Sequence, residues 1–97
     1  MFTSKERSNL RSMAQNIKPV TQVGKGGISD TLIESLSQAL EARELIKISV
    51  LNNADDDARD IAENLADLLN AEVVAVIGKK IVLYRKSSKK DFNHIIY

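Results

Sequence analysis

The chain of 97 residues has no cysteine and no tryptophan, and it has one proline, one histidine, two phenylalanines and two tyrosines. Without cysteine there is no disulfide, no thiolate metal ligand and no thiol nucleophile, which is compatible with a reducing compartment. The lone histidine, His94, lies near the C-terminus, which argues against a serine–histidine catalytic site and a histidine-rich metal site. The longest unbroken apolar run, Val73 to Ile77, falls far short of the ~18–20 residues that span a bilayer. The opening stretch, MFTSKERSNL, lacks the apolar segment of a secretion signal. These absences predict a soluble, cytoplasmic, single-domain protein that is not an enzyme, with no cofactor, metal, membrane partner or small-molecule substrate. They leave the oligomeric state open.

What is present is charge, unevenly placed. The formal net charge is +1, yet residues 1–27 carry five basic side chains against one acid, 28–76 carry three against eleven, and 77–97 carry six against one. That layout can build one face that attracts a polyanion and another that repels it.

Hydrophobic spacing predicts seven elements. Thr3-Ser4-Lys5-Glu6 fits a capping box at the start of a first helix. Leu10, Met13, Ala14 and Ile17 form its apolar face, and Pro19 is expected to stop it. Arg7, Arg11 and Lys18 fall along one flank of that face, either merely solvated or as a row of phosphate contacts. Val20–Val23 reads as a short strand. A second helix follows from an N-cap at Ser29 to about Ala42, then the β-branched strand LIKISVL (45–51). Asp55–Asp57 open a third helix, with Ala58, Ile61, Ala62, Leu65 and Leu69 as its core stripe. Its acidic stripe, Asp56, Asp60, Glu63 and Asp67, is expected to face away from any nucleic acid. EVVAVIG and KIVLYR read as an antiparallel hairpin turning at Gly78-Lys79. The first of these two strands is apolar at both parities, so it is predicted to be covered on both faces. The order helix-strand-helix-strand-helix-strand-strand predicts an α/β fold: a single domain with three helices and a mixed four-stranded sheet. Residues 1–86 form this domain, and 87–97 form a C-terminal tail that is either flexible or docked.

Three of the four glycines fall at Gly24, Gly26 and Gly27, inside VTQVGKGGISD. Glycine costs roughly 0.5–1 kcal/mol where regular structure is wanted, so the cluster signals either a tight turn or a loop that lets a ligand approach the backbone. The spacing misses both the phosphate loop of nucleotide hydrolases and the dinucleotide fingerprint. It matches the glycine-x-x-glycine spacing by which some RNA-binding folds hold a nucleic-acid backbone. On that reading, amides at Gly26 and Gly27 meet phosphate oxygens, Lys25 adds charge, and the following helix N-terminus favours anions. Asp30 opposes a phosphate placed too near it. Asp55–Asp57 lack the spaced ligands of a calcium loop.

The run LRSMAQNIKPVTQVGKGGISDTLIESLSQALEARELIKISVLNN, an acid-started helix, and then VVAVIGKKIVLYR together resemble the CRM domain family, and most closely its small bacterial YhbY-like members. The resemblance extends through Arg85 or Lys86. It implies a fold similar to the C-terminal domain of bacterial initiation factor three. It also implies RNA binding without catalysis and association with ribosomal RNA in precursors of the large ribosomal subunit. By position, the family's loop falls on Gly24, Lys25, Gly26 and Gly27. Its basic first helix falls on Lys5, Arg7 and Arg11, with Lys18 at the end, and its hairpin cation on Lys79, with Lys80 as an additional charge. Glu6 departs from the more uniformly basic first turn and ranks Lys5 below Arg11. Recognition is expected to favour RNA shape and backbone, because so few aromatics are available for stacking. The alternatives are a DNA-binding domain using the same cations, and a protein-interaction module using the acidic helix or the FNHIIY tail.

Overall fold

Each helix starts on a side chain that satisfies an otherwise free backbone N–H. In the computed structural model, which describes residues 2–97, Thr3 caps α1 (Ser4–Ala14). The Glu6 N–H donates to Thr3 Oγ1 at 3.1 Å, and the Thr3 N–H donates to Glu6 Oε1 at 2.9 Å. Glu6, out of place in a basic first turn, is therefore half of a capping box. Ser29 caps α2 (Asp30–Arg43) through the Leu32 N–H at 3.1 Å. Asp57 caps α3 (Ala58–Leu69) through the Asp60 N–H at 2.9 Å. Pro19 does not end α1. The helix closes a turn earlier, where Gln15 and Ile17 donate to the carbonyls of Ser12 and Ala14, three-residue spacings that tighten the last turn. Leu10 and Ala14 are buried, but Met13 remains 39% exposed, so the apolar stripe is narrower than its spacing predicts.

The strands are β1 (Thr21–Val23), β2 (Leu45–Val50), β3 (Glu72–Ile77) and β4 (Lys80–Tyr84). They form one mixed four-stranded sheet, as predicted, and its spatial order is β1-β2-β4-β3. β1 runs parallel to β2, while β4 is antiparallel to both β2 and β3. Strand parity divides the core between two faces. Val23, Ile46, Ile48, Ile81 and Leu83 pack with Leu36 and Leu40 of α2 and with Ile61 and Leu65 of α3. On the other face, Leu45, Val82, Tyr84 and Val74 pack beneath Leu10 and Ala14 of α1. The Arg85 guanidinium ties α2 to α3 by donating to the Leu69 and Ser37 carbonyls, both at 2.9 Å.

β3 meets its expectation only in part. It is an outer strand with a register shift between Val73 and Ala75. Only Val74 is buried, and Ile77 is 57% exposed. Its apolar run packs on both faces, Val73 and Val76 toward the α2–α3 side and Val74 and Ala75 toward α1, but the cover is incomplete because β3 has one neighbouring strand and α1 crosses only part of its length.

Residues 87–97 pack back onto the body. Their anchor is Glu44, fully buried at the end of α2 with φ +65°, a region that non-glycine residues seldom occupy. Its carboxylate accepts from the Ser87 N–H at 2.7 Å and the Ile95 N–H at 2.8 Å, and it meets His94 Nδ1. The Tyr97 ring then packs edge-on against Tyr84 and Phe2, with centroids at 5.2 and 5.4 Å.

Burial pushes the Glu44 carboxyl pKa up, but the bonds from His94, Ile95 and Ser87 outweigh it and hold the pKa below its ordinary 4.5. A depressed carboxyl contributes its full stabilisation above the ordinary value and loses it as pH falls through the lowered one. Glu44→Gln leaves a buried N–H without its acceptor and is expected to cost about 1–3 kcal/mol near neutral pH. In urea titrations, the gap between variant and parent closes on acidification below pH 4.5.

Candidate nucleic-acid interface

The three clustered glycines serve three different purposes. The Gly27 N–H donates to the Gly24 carbonyl at 3.0 Å, closing a four-residue turn with Lys25 and Gly26 at its corner. Gly27 has φ +64°, a left-handed conformation that strains a residue bearing a Cβ. A Cβ on Gly24 would sit 3.2 Å from Leu51 Cδ1 and 3.3 Å from Asn53 Oδ1, so Gly24 lets the turn lie against the end of β2. A Cβ on Gly26 would meet nothing within 4 Å. Of the three, only Gly26 is free of an internal requirement. This corrects the expected amide pair: the Gly27 N–H is spent within the turn. The Lys25 and Gly26 N–H groups have no acceptor among the described residues, and both residues are exposed.

The sheet decides which cations join this turn. Parallel pairing of β1 with β2 brings their C-terminal ends to the same edge, and Ser49 pairs with Lys80 at the start of β4. The glycine turn and the Gly78–Lys79 tip therefore share one end of the sheet. The tip is held by the Val50 N–H donating to the Lys79 carbonyl at 2.7 Å. Two strand spacings, about 10 Å, separate β1 from β4. Lys25, Lys79 and Lys80 are all exposed. Lys80 shares its parity with Val82 and Tyr84, which places it on the α1 side.

The other predicted cations are elsewhere. Lys18 precedes β1 and lies at the opposite end of the sheet, up to roughly 20 Å of extended chain from Gly24. Lys5 and Arg11 are exposed on α1. Arg7 is not a free cation. Its guanidinium donates to the Val74 carbonyl at 3.0 Å and to the Val73 carbonyl, on the outer strand β3 at its register shift, and it lies 5.6 Å over the Phe2 ring. Sequence reasoning passed over Lys47. It shares the parity of Leu45, stands opposite Val82 and reaches the α1 side near Lys80. The alternation in LIKISV carried that signal.

Beside the turn is a cleft of about 280 Å³. Its walls are Gly24–Ile28 on one side and Ala54, Asp55, Asp56, Ile61 and Asn64 on the other. The whole acidic stripe of α3 is exposed, but its first member, Asp56, does not face away from the glycine turn. The parallel β1–β2 pair sets the starts of α2 and α3 at the same end, which brings Asp55 and Asp56 next to Lys25.

The CRS1/YhbY (CRM) domain profile matches residues 2–85. The "Probable RNA-binding protein YqeI" of Bacillus subtilis is 47% identical over 89 residues, covering 92% of this chain and 93% of that protein. The "Probable RNA-binding protein MJ0652" of Methanocaldococcus jannaschii is 41% identical over 86 residues, 87% of this chain and 63% of that protein. The solution structure of the hypothetical protein SAV1595 from Staphylococcus aureus superposes with a TM-score of 0.77 at 46% identity, covering 94% of this chain and 95% of that one.

The two kinds of cation separate by stability. Arg7→Ala strips two part-buried carbonyls of a charged donor and is expected to cost about 1–3 kcal/mol in chemical denaturation. Lys25→Ala, exposed and without an ion-pair partner among the described residues, should leave the unfolding midpoint in place. Equal midpoints for Arg7→Ala and the parent would show that the guanidinium is not structural.

Proposed function

The chain belongs to the CRS1/YhbY (CRM) domain family, and from that premise we propose that it is a non-catalytic, cytoplasmic RNA-binding protein acting in assembly of the large ribosomal subunit. The observation that carries this reading is the open corner of the glycine turn. Two exposed backbone N–H groups, Lys25 and Gly26, have no acceptor of their own, no side chain shields Gly26, and an ammonium stands beside them.

A phosphate oxygen accepting from these amides gains short, charge-assisted hydrogen bonds. The fixed turn means that little conformational entropy is lost when they form. Lys79 and Lys80, about two strands away, continue the positive track toward the α1 face, where Lys47 extends it. Arg7 contributes by holding α1 to the sheet rather than by touching RNA. The likeness to probable RNA-binding proteins of Bacillus subtilis and Methanocaldococcus jannaschii favours RNA over DNA. The docked tail disfavours capture of a protein through FNHIIY, because Ile95 and Tyr97 are packed into the α1-side core. The role in large-subunit assembly is what the family resemblance implies, with precursor ribosomal RNA as the partner.

If Lys25 neutralises one phosphate, Lys25→Ala lowers the magnitude of the log K against log salt slope by roughly 0.7–0.9. Gly26→Leu, which no neighbour obstructs, should fold as the parent does and bind RNA weakly. Normal RNA affinity in folded Gly26→Leu would remove backbone approach from the mechanism. In cells, ultraviolet crosslinking with residue-level mapping should recover large-subunit precursor RNA attached near Lys25. Recovery of unrelated RNA alone would overturn the assembly role.

A further inference from the structure

Resting on the RNA reading above, we propose that the cleft between the glycine turn and the start of α3 receives one unstacked nucleobase, selecting bases that carry an exocyclic amino group over uracil.

Charge of opposite sign lines the two rims of the cleft. A strand whose phosphate sits on the Lys25–Gly26 corner runs beside Asp55 and Asp56, which line the same cleft. Neither carboxylate has a hydrogen-bonding or ion-pair partner among the described residues, so both are free to accept. A second phosphate in the cleft would face two negative charges at close range. The neutral part of the nucleotide does not. Opposite charges on the two rims therefore orient the nucleotide, phosphate toward Lys25 and base toward α3.

Size and lining agree with that orientation. At about 280 Å³ the cleft is below the roughly 300–1,000 Å³ of pockets that hold drug-sized ligands. It is scaled to a fragment such as one base rather than to a whole nucleotide cofactor. Ile28, Ala54 and Ile61 supply apolar surface for the face of a ring, while Asn64, Asp55 and Asp56 supply polar groups for its edge. Carboxylates only accept hydrogen bonds. The amino groups of cytosine and adenine donate to them, whereas the matching edge of uracil presents a carbonyl oxygen that two carboxylates repel. Asn64, with both donor and acceptor, can complete the edge of either cytosine or adenine. Single-stranded or looped RNA is the substrate this requires, since only splayed bases expose that edge.

Fluorescence anisotropy with a short oligouridylate, and with the same oligomer carrying one central cytidine or adenosine, tests this on the full chain. The parent should bind the cytidine and adenosine oligomers roughly 5- to 10-fold more tightly than oligouridylate, the lower end of what one base-edge contact supplies. Asp55→Ala/Asp56→Ala keeps the Asp57 cap of α3 and should bring the three affinities together, with oligouridylate binding tightened by loss of two negative charges. Lys25→Ala should weaken all three oligomers alike and keep their ranking. Equal binding of the three oligomers by the parent, with Lys25→Ala still weakening them together, overturns the base site and leaves the RNA reading standing. A preference that persists in the folded double variant also overturns it. Failure of the parent to bind any RNA, ribosomal transcripts included, overturns both.

Discussion

The parallel pairing of β1 with β2 is the constraint from which the rest of the molecule follows. Parallel neighbours require a crossover, here α2, and the antiparallel β4 then closes the sheet beside β2. One consequence is that every chain reversal at the β1 and β2 ends, together with the hairpin tip, gathers at one pole. The starts of α2 and α3 gather there too. A glycine turn in a solvent-facing loop elsewhere would be only a turn. At this pole it stands among lysines, helix starts and two carboxylates, and its exposed amides acquire a charged setting.

Much of this was legible in the residues. The capping positions Thr3, Ser29 and Asp57, the core stripe of α3 and the hairpin at Gly78 are local signals, set by hydrogen-bond geometry and by spacing along one element. What was illegible depended on sheet order. Whether Val73–Ile77 lies inside or at the edge is decided by which strand pairs with β4, and β3 is the outer one. The same is true of Arg7. Its place on the α1 flank was readable, but the carbonyls at the β3 register shift, 66 residues away in sequence, were not. Asp56 belongs to a solvent stripe when α3 is read alone, and becomes a wall of the cleft only once β1 and β2 are set parallel.

The candidate site divides in the same way. The glycine spacing pointed to the turn, but not to how its three glycines differ. Gly27 is held by its left-handed backbone, Gly24 by the nearness of Leu51 and Asn53, and Gly26 by nothing within the protein. An open position with no internal requirement is where a requirement from outside acts. The cations divide likewise into Lys25, Lys79 and Lys80 at one pole, Lys18 at the other, and Arg7 drawn inward.

Phe2 and Tyr97, the first described residue and the last, meet edge to face beside Tyr84. Tyr84 pairs with Leu45 where β2 begins, at the pole farthest from Gly26. Close approach of the two ends of a folded domain is the geometry that tolerates circular permutation and insertion into a host polypeptide. Fused sequence of any length would depart from the blunt end of this domain, and tandem copies could be strung together with every glycine corner left unobstructed.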